Sequence, residues 1–205
     1  MKFIFSPPSF DDLIRLLKAW RYWSLGALLG GLIGAAIFHS VPPPYRAHVV
    51  VLVDFNLEQA WPAETDREQF YYLERETRKL EEIAFSDAVM EFVAEMNENT
   101  TITELRSGIL SLSQPADGGW NFYVDDKDPQ RAATLATLWT QAFVGEVNLQ
   151  KATADGPNVF ISATVTQMAQ TPAGRSVSLS TYLFVGAISF LAFGSIVVLF
   201  VSKPK

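Results

Sequence analysis

Two kinds of hydrophobic pattern divide the chain. From Tyr22 to Val41, and again from Val177 to Val201, no Asp, Glu, Lys or Arg interrupts the run. Each stretch reaches the roughly 20 residues that a helix needs to cross about 30 Å of hydrocarbon. Between them the pattern breaks into short periodic segments of the kind that fold in water. The expected organisation is a cytoplasmic amphipathic segment 1–21, a transmembrane helix 22–41, a domain 42–176, a second transmembrane helix 177–201 and a tail 202–205. Phe10, Leu13, Ile14, Leu17 and Trp20 recur at helical spacing before the first run, which predicts a helix lying at the membrane surface. Trp20, Tyr22 and Trp23 supply its aromatic belt. A cleavable signal peptide is the competing reading of the first run, although the run is long enough to span.

At "HSVPPPYRAHVVVLVDFN" the chain leaves the first run. Pro42, Pro43 and Pro44 cannot continue a helix and hold the backbone extended, a stiff elbow ahead of a strand. Tyr45 to Asn56 carries Val49, Val51, Val53 and Phe55 on one face and Val50 and Leu52 on the other. Apolar residues on both faces predict a central strand buried on both sides. Thr65 and Glu68 have the spacing of a capping box, and Phe70, Leu73, Thr77 and Leu80 continue the helix. Ser86 opens a second helix, with Phe85 and Met90 in staple positions; Thr101 and Glu104 open a short third one ending near Gly108. "ILSLS" and "WNFYVDD" predict a hairpin turned by "QPADGG". Asp128 followed by Pro129 is a helix start, a cap and a first-turn proline, leading into Ala132, Leu135, Ala136, Trp139 and Phe143. Asn148 to Asn158 reads as a short connection, and a last strand is expected to run to Pro172. The fold class is thus α+β: an external domain with a mixed sheet and packed helices, between two transmembrane α-helices.

Charge orients this arrangement. Lys2, Arg15, Lys18 and Arg21 precede the first span and Lys203 and Lys205 follow the second, so both termini are expected in the cytoplasm and the domain outside. Residues 42–176 hold 20 acidic and 10 basic side chains. Nucleic acid is excluded as a partner, because phosphate binding needs clustered cations. The chain has no cysteine, which removes disulfides and thiolate metal sites. His39 and His48 have no spaced ligand partner, and Asp125, Asp126 and Asp128 lack the further oxygens and central glycine of a calcium loop. No phosphate loop or nucleophile elbow appears. Catalytic, cofactor-binding and metal-ligating residues are therefore all expected to be absent, and the chain reads as a non-enzyme without cofactor. Its notable residues are structural. Gly26, Gly30 and Gly34 recur every four positions and predict close packing on another helix, either the chain's own second span or a neighbouring copy. Pro42 to Pro44 form the elbow, and Asp128 with Pro129 the helix start.

The order of parts resembles the polysaccharide co-polymerase, or Wzz-type chain-length determinant, family. "DLIRLLKAWRYW" before the first span, "PPPYRAHVVVLV" after it, "DKDPQRAATLA" at a helix start and a proline-containing approach to the second span carry the resemblance. It implies an α/β unit at the face of a bacterial inner membrane and an oligomer of identical copies, influencing the length or export of a surface polysaccharide. The partners it implies are membrane lipid, further copies, and a polysaccharide polymerase or other subunits of a membrane complex. The long helical excursion and the full proline-rich run of the family are missing, so this is a short, membrane-proximal version. Two other readings are a structural subunit that reuses the fold in a larger complex and an adaptor for a separate cytoplasmic tyrosine kinase.

Overall fold

The computed structural model describes residues 10, 14, 17–60, 66–97, 100–114, 119–153 and 156–201. Helix α1 (Trp20–Ser40) closes with the Val41 amide donating to Ile37, and strand β1 (Tyr45–Asp54) starts directly after Pro44. Helices α2 (Asp66–Ala84) and α3 (Asp87–Met96) follow, then the hairpin strands β2 (Leu110–Ser113) and β3 (Gly119–Asp126). Helix α4 (Pro129–Ala152), strand β4 (Ser162–Gln167) and helix α5 (Leu179–Val201) complete the order. The chain divides into two compact units, one built on α1 and α5, the other running Pro44–Ser176.

The four strands pair in the order β2-β3-β1-β4, every neighbour antiparallel. The expected mixed sheet is thus corrected. Each helical crossover steps over one strand, so β1 and β2, and likewise β3 and β4, are next-but-one neighbours with another strand between them. This is the split β-α-β arrangement. β1 is central, as its composition predicts, but for a different reason than burial on both faces. Ala47, Val49, Val51 and Val53 are buried, while Leu52 on the other face is 41% exposed. All the helices that cover β1 lie on one side, so Val50 and Leu52 face outward.

The covered side holds one core. Trp139 of α4 is fully buried, edge-on to Phe122 of β3 at 4.7 Å, and Phe143 lies 5.2 Å from the same ring. Burying a large apolar side chain contributes roughly 1.5–3 kcal/mol. The Trp139 indole N–H donates to the Ala84 carbonyl at 2.7 Å and so ties α4 to the last residue of α2. Helix α2 presents a different stripe than its apolar residues suggest. Tyr72, Glu76, Leu80 and Ala84 turn inward, while Phe70 is 64% exposed. A carboxylate can face inward here because Arg75 and Lys79 both bond it, each at 2.8 Å. The Thr65 cap expected for this helix, the "QPADGG" turn from Pro115 to Gly118, and most of the N-terminal surface helix lie outside the described residues.

Three boundaries also move. The Asp-Pro helix continues to Ala152, which takes Asn148 out of the expected connection. A 3-10 turn, Gly156–Phe160, precedes β4. β4 itself ends at Gln167 rather than Pro172, one step past a bulge opposite Val50 and Val51. After Thr101 caps Ile102–Glu104 by accepting from the Glu104 amide at 3.2 Å, the chain widens into a π turn, Leu105–Ile109. Gly108 leaves that turn at φ 98°, a backbone region that suits a residue without Cβ.

Candidate functional site

The three groups of residues singled out above fall in different places. In the helix pair, the glycines of α1 meet α5 of the same chain. A Cβ built on Gly30 would come closer than 3.0 Å to the Gly186 carbonyl, and one on Gly34 would do the same to the Tyr182 carbonyl. Gly26 is roomier, with the Phe190 carbonyl 3.5 Å from such a Cβ. Ascending α1 through Gly26, Gly30 and Gly34 therefore descends α5 through Phe190, Gly186 and Tyr182. Both series step by four residues, so the two helices pack antiparallel, ridge on ridge, with their backbones in direct contact. Gly186 was not legible beforehand. It is a single glycine in an apolar run, and its only signal is the four-residue spacing of its neighbours in the seam.

The outer surface of the pair is apolar and uncovered. Leu28, Leu32 and Phe184 are each about two-thirds exposed, at 65%, 67% and 66%. Both helices are long and apolar enough to cross a membrane. A continuous apolar surface of this extent needs lipid or protein around it.

At the elbow, Pro44 belongs to the α+β unit and its carbonyl accepts from the Ser176 amide at 2.8 Å. The next residue, Tyr45, bridges to Arg175, whose guanidinium sits 4.8 Å over the Tyr45 ring. These bonds clasp the first residues of the unit to the last.

The Asp128–Pro129 start has the expected cap, the Asp128 carboxylate accepting from the Gln130 amide at 2.9 Å. The residues around it do more. Asp126, buried at the end of β3, accepts from the Asp128 amide at 2.8 Å through one oxygen and from Arg131 at 2.7 Å through the other. Arg131 reaches on to Glu104 at 2.8 Å and Thr100 at 3.1 Å. Burial pulls its pKa down, but the hydrogen bonds and charges of Glu104 and Asp126 outweigh this and leave it raised. One guanidinium therefore joins β3, the start of α4 and the turn before β2. It also diverts Glu104, whose carboxylate bonds Arg131 rather than closing the capping box with Thr101.

On the open sheet face Arg46 binds Asp125 through two bonds, at 2.7 and 2.6 Å, and this hydrogen bonding raises the Arg46 pKa against the opposing effect of burial. His48 stacks on Tyr123 at 4.7 Å and hydrogen-bonds Asn121 at 2.7 Å. These side chains satisfy one another across the β1–β3 pair, and none is set as a nucleophile against a base. Among the described residues no three acidic or histidine side chains gather as a metal would require.

Tyr72, on the inward face of α2, offers a pH test. Burial, with the Glu76 charge adding and Arg75 opposing, pushes its phenol from 10.0 up to about 12. The neutral form is the one the fold favours. Its contribution is present in full below pH 10 and is lost as pH rises toward about 12. Spectrophotometric titration should show one tyrosine ionising near pH 12, and denaturation curves should show a fall in stability across that window. Tyr72→Phe should remove both; a variant titrating like the parent would refute the assignment.

No known protein family and no curated protein matches the chain.

Proposed function

We propose that the protein is a non-enzymatic membrane scaffold: an oligomer of two-pass subunits that arranges α+β units at a bacterial inner-membrane surface, as the polysaccharide co-polymerases it resembles would. The observation that carries this reading is the antiparallel glycine seam. It makes a pair of long apolar helices whose free ends lie together, which suits a chain with both tails in the cytoplasm and its folded unit outside. The acidic balance of residues 42–176 and the positive tails support the same orientation. Arg46 with Asp125, and Arg131 with Asp126 and Glu104, are engaged in holding the unit's own strands and helix starts, which supports a structural role over a chemical one. Action on a polysaccharide polymerase or exporter is the role the resemblance implies.

Native mass spectrometry of the protein extracted gently from its own membrane tests the reading. A ring or bundle of identical subunits, alone or with a polysaccharide polymerase, is the expected result. One or a few copies held among unrelated subunits would replace it with the accessory-subunit reading, and a monodisperse monomer would overturn it.

A further inference from the structure

Two exposed helix faces of the α+β unit carry opposite charge. Helix α3 has an acid every four residues, Asp87, Glu91 and Glu95, and neither Lys nor Arg. Phe92 and Met96, 40% and 61% exposed, follow directly on the last two acids, so an acidic and an apolar ridge run side by side along its outer surface. Glu91 and Glu95 are exposed and pair with no cation among the described residues. Helix α2 is the counterpart. Phe70 and Tyr71 are exposed, and Arg75, Arg78 and Lys79 follow one and two turns on, each with more than half its side chain in solvent. Arg75 and Lys79 share the single charge of Glu76, and Arg78 is held only by Glu74 at 3.4 Å, so this stretch keeps a surplus of positive charge. A cleft of about 610 Å³ lies against Tyr71, Arg75, Arg78 and Lys79 and makes the face concave. The two faces lie toward opposite edges of the sheet. Leu80 and Ile83 of α2 share a pocket with Ile161, just before β4, whereas Asp87 of α3 bonds Arg106 in the turn before β2. β4 and β2 are the two edge strands, and no ion pair joins α2 to α3 among the described residues.

We propose that α3 of one copy docks on α2 of the next, its acidic and apolar ridges against the cationic, aromatic face. A second copy is the occupant because the chain carries both halves of the fit. The unpaired acids of α3 recur at the same one-turn interval, about 6 Å, as Arg75 and Lys79. Phe92 and Met96 against Phe70 and Tyr71 supply the affinity, aromatic and Met side chains being those that interface cores favour. The charges fix the register and disfavour the symmetric alternative, in which the acids of one α3 would meet the acids of another. Since the two faces differ, the contact is head to tail, and its repetition closes a ring or runs on as a filament. This rests on the oligomer reading above and names the surfaces through which the oligomer is built.

With no cysteine in the chain, crosslinking reads the contact directly. Full-length chains in membranes would carry Tyr71→Cys or Met96→Cys, both at exposed positions, and be treated with a short bis-maleimide, circular dichroism of the purified variants verifying the fold. Neither variant alone is expected to crosslink. The two co-expressed under different tags should give a mixed dimer, and a chain carrying both changes should give a ladder. Glu91→Lys with Glu95→Lys beside Met96→Cys should cut the mixed dimer about tenfold, and Arg78→Glu beside Tyr71→Cys should restore part of it. A dimer from either variant alone means a symmetric contact, and a crosslink only to a foreign chain means a different partner on this face; each overturns the proposal, as does a mixed dimer that charge reversal leaves unchanged. Native mass spectrometry keeps the two readings apart: an oligomer without the α2–α3 crosslink sinks this interface and leaves the scaffold standing, whereas a monomer sinks both.

Discussion

Alanine at Gly30, Gly34 or Gly186 is expected to pry α1 from α5, whereas alanine at Gly26 or Gly194 leaves the pair nearly intact. The distinction lies in what the new methyl group meets. At the first three positions it falls closer than 3.0 Å to a backbone carbonyl of the facing helix, which cannot swing aside as a side chain would. At Gly26 the approach is ordinary van der Waals contact, and around Gly194 nothing lies within 4 Å. Overpacking of this kind costs about 1–3 kcal/mol, sometimes more. In lipid or detergent the cost is not offset by hydrophobic association, because the surroundings are as apolar as the helices. The chain has no cysteine, so a pair introduced at the two helix ends can carry fluorophores without background labelling. Energy transfer between them should fall, and unfold at lower denaturant, in Gly30→Ala, Gly34→Ala and Gly186→Ala. If Gly30→Ala behaves like Gly194→Ala, the seam is not where the helices are held.

The second large effect belongs to Arg131. Its side chain is 25% exposed and that of Asp126 only 7%, so removing either leaves a charge in a place that water reaches poorly. Breaking a buried pair by deleting one partner costs about 3–5 kcal/mol, much of it the penalty of the charge left behind. Arg131→Met should destabilise the α+β unit by that amount, seen as a lower denaturation midpoint with little change in slope. Asp126→Asn should do nearly as much, since the amide also weakens the bond to the Asp128 backbone. The double variant should be less damaged than the sum of the two, because the uncompensated charge has gone. Strict additivity would mean that Arg131 acts through Glu104 and Thr100 alone.

These two sites differ in how far they could be read from the chain. Asp128 followed by Pro129 is a local signal, complete within a few residues, and the cap forms where it is expected. The hairpin strands and the ends of α1 were legible for the same reason: turn residues and uninterrupted apolar runs are properties of neighbours. Arg131 was not singled out, because its partners Glu104 and Thr100 lie 27 and 31 residues away and no spacing rule joins them. The stripe of α2 was misread through Phe70, since apolar periodicity counts a phenylalanine as buried and a glutamate as exposed. The two cations flanking Glu76 reverse that expectation. The sheet order escaped as well. A run such as "VVVLV" reports a strand in the middle of a sheet but not which strands flank it or in which direction.

The clasp at Pro44 and Ser176 has a consequence for how the α+β unit is put together. Its two ends meet in a hydrogen bond, so the polypeptide from one to the other forms almost a closed ring. In such a ring the starting point of the chain is arbitrary. Joining Ser176 to Pro44 through a short linker and opening the ring elsewhere would keep every strand pairing. The unit is a self-contained insert, portable between hosts that offer two neighbouring chain ends.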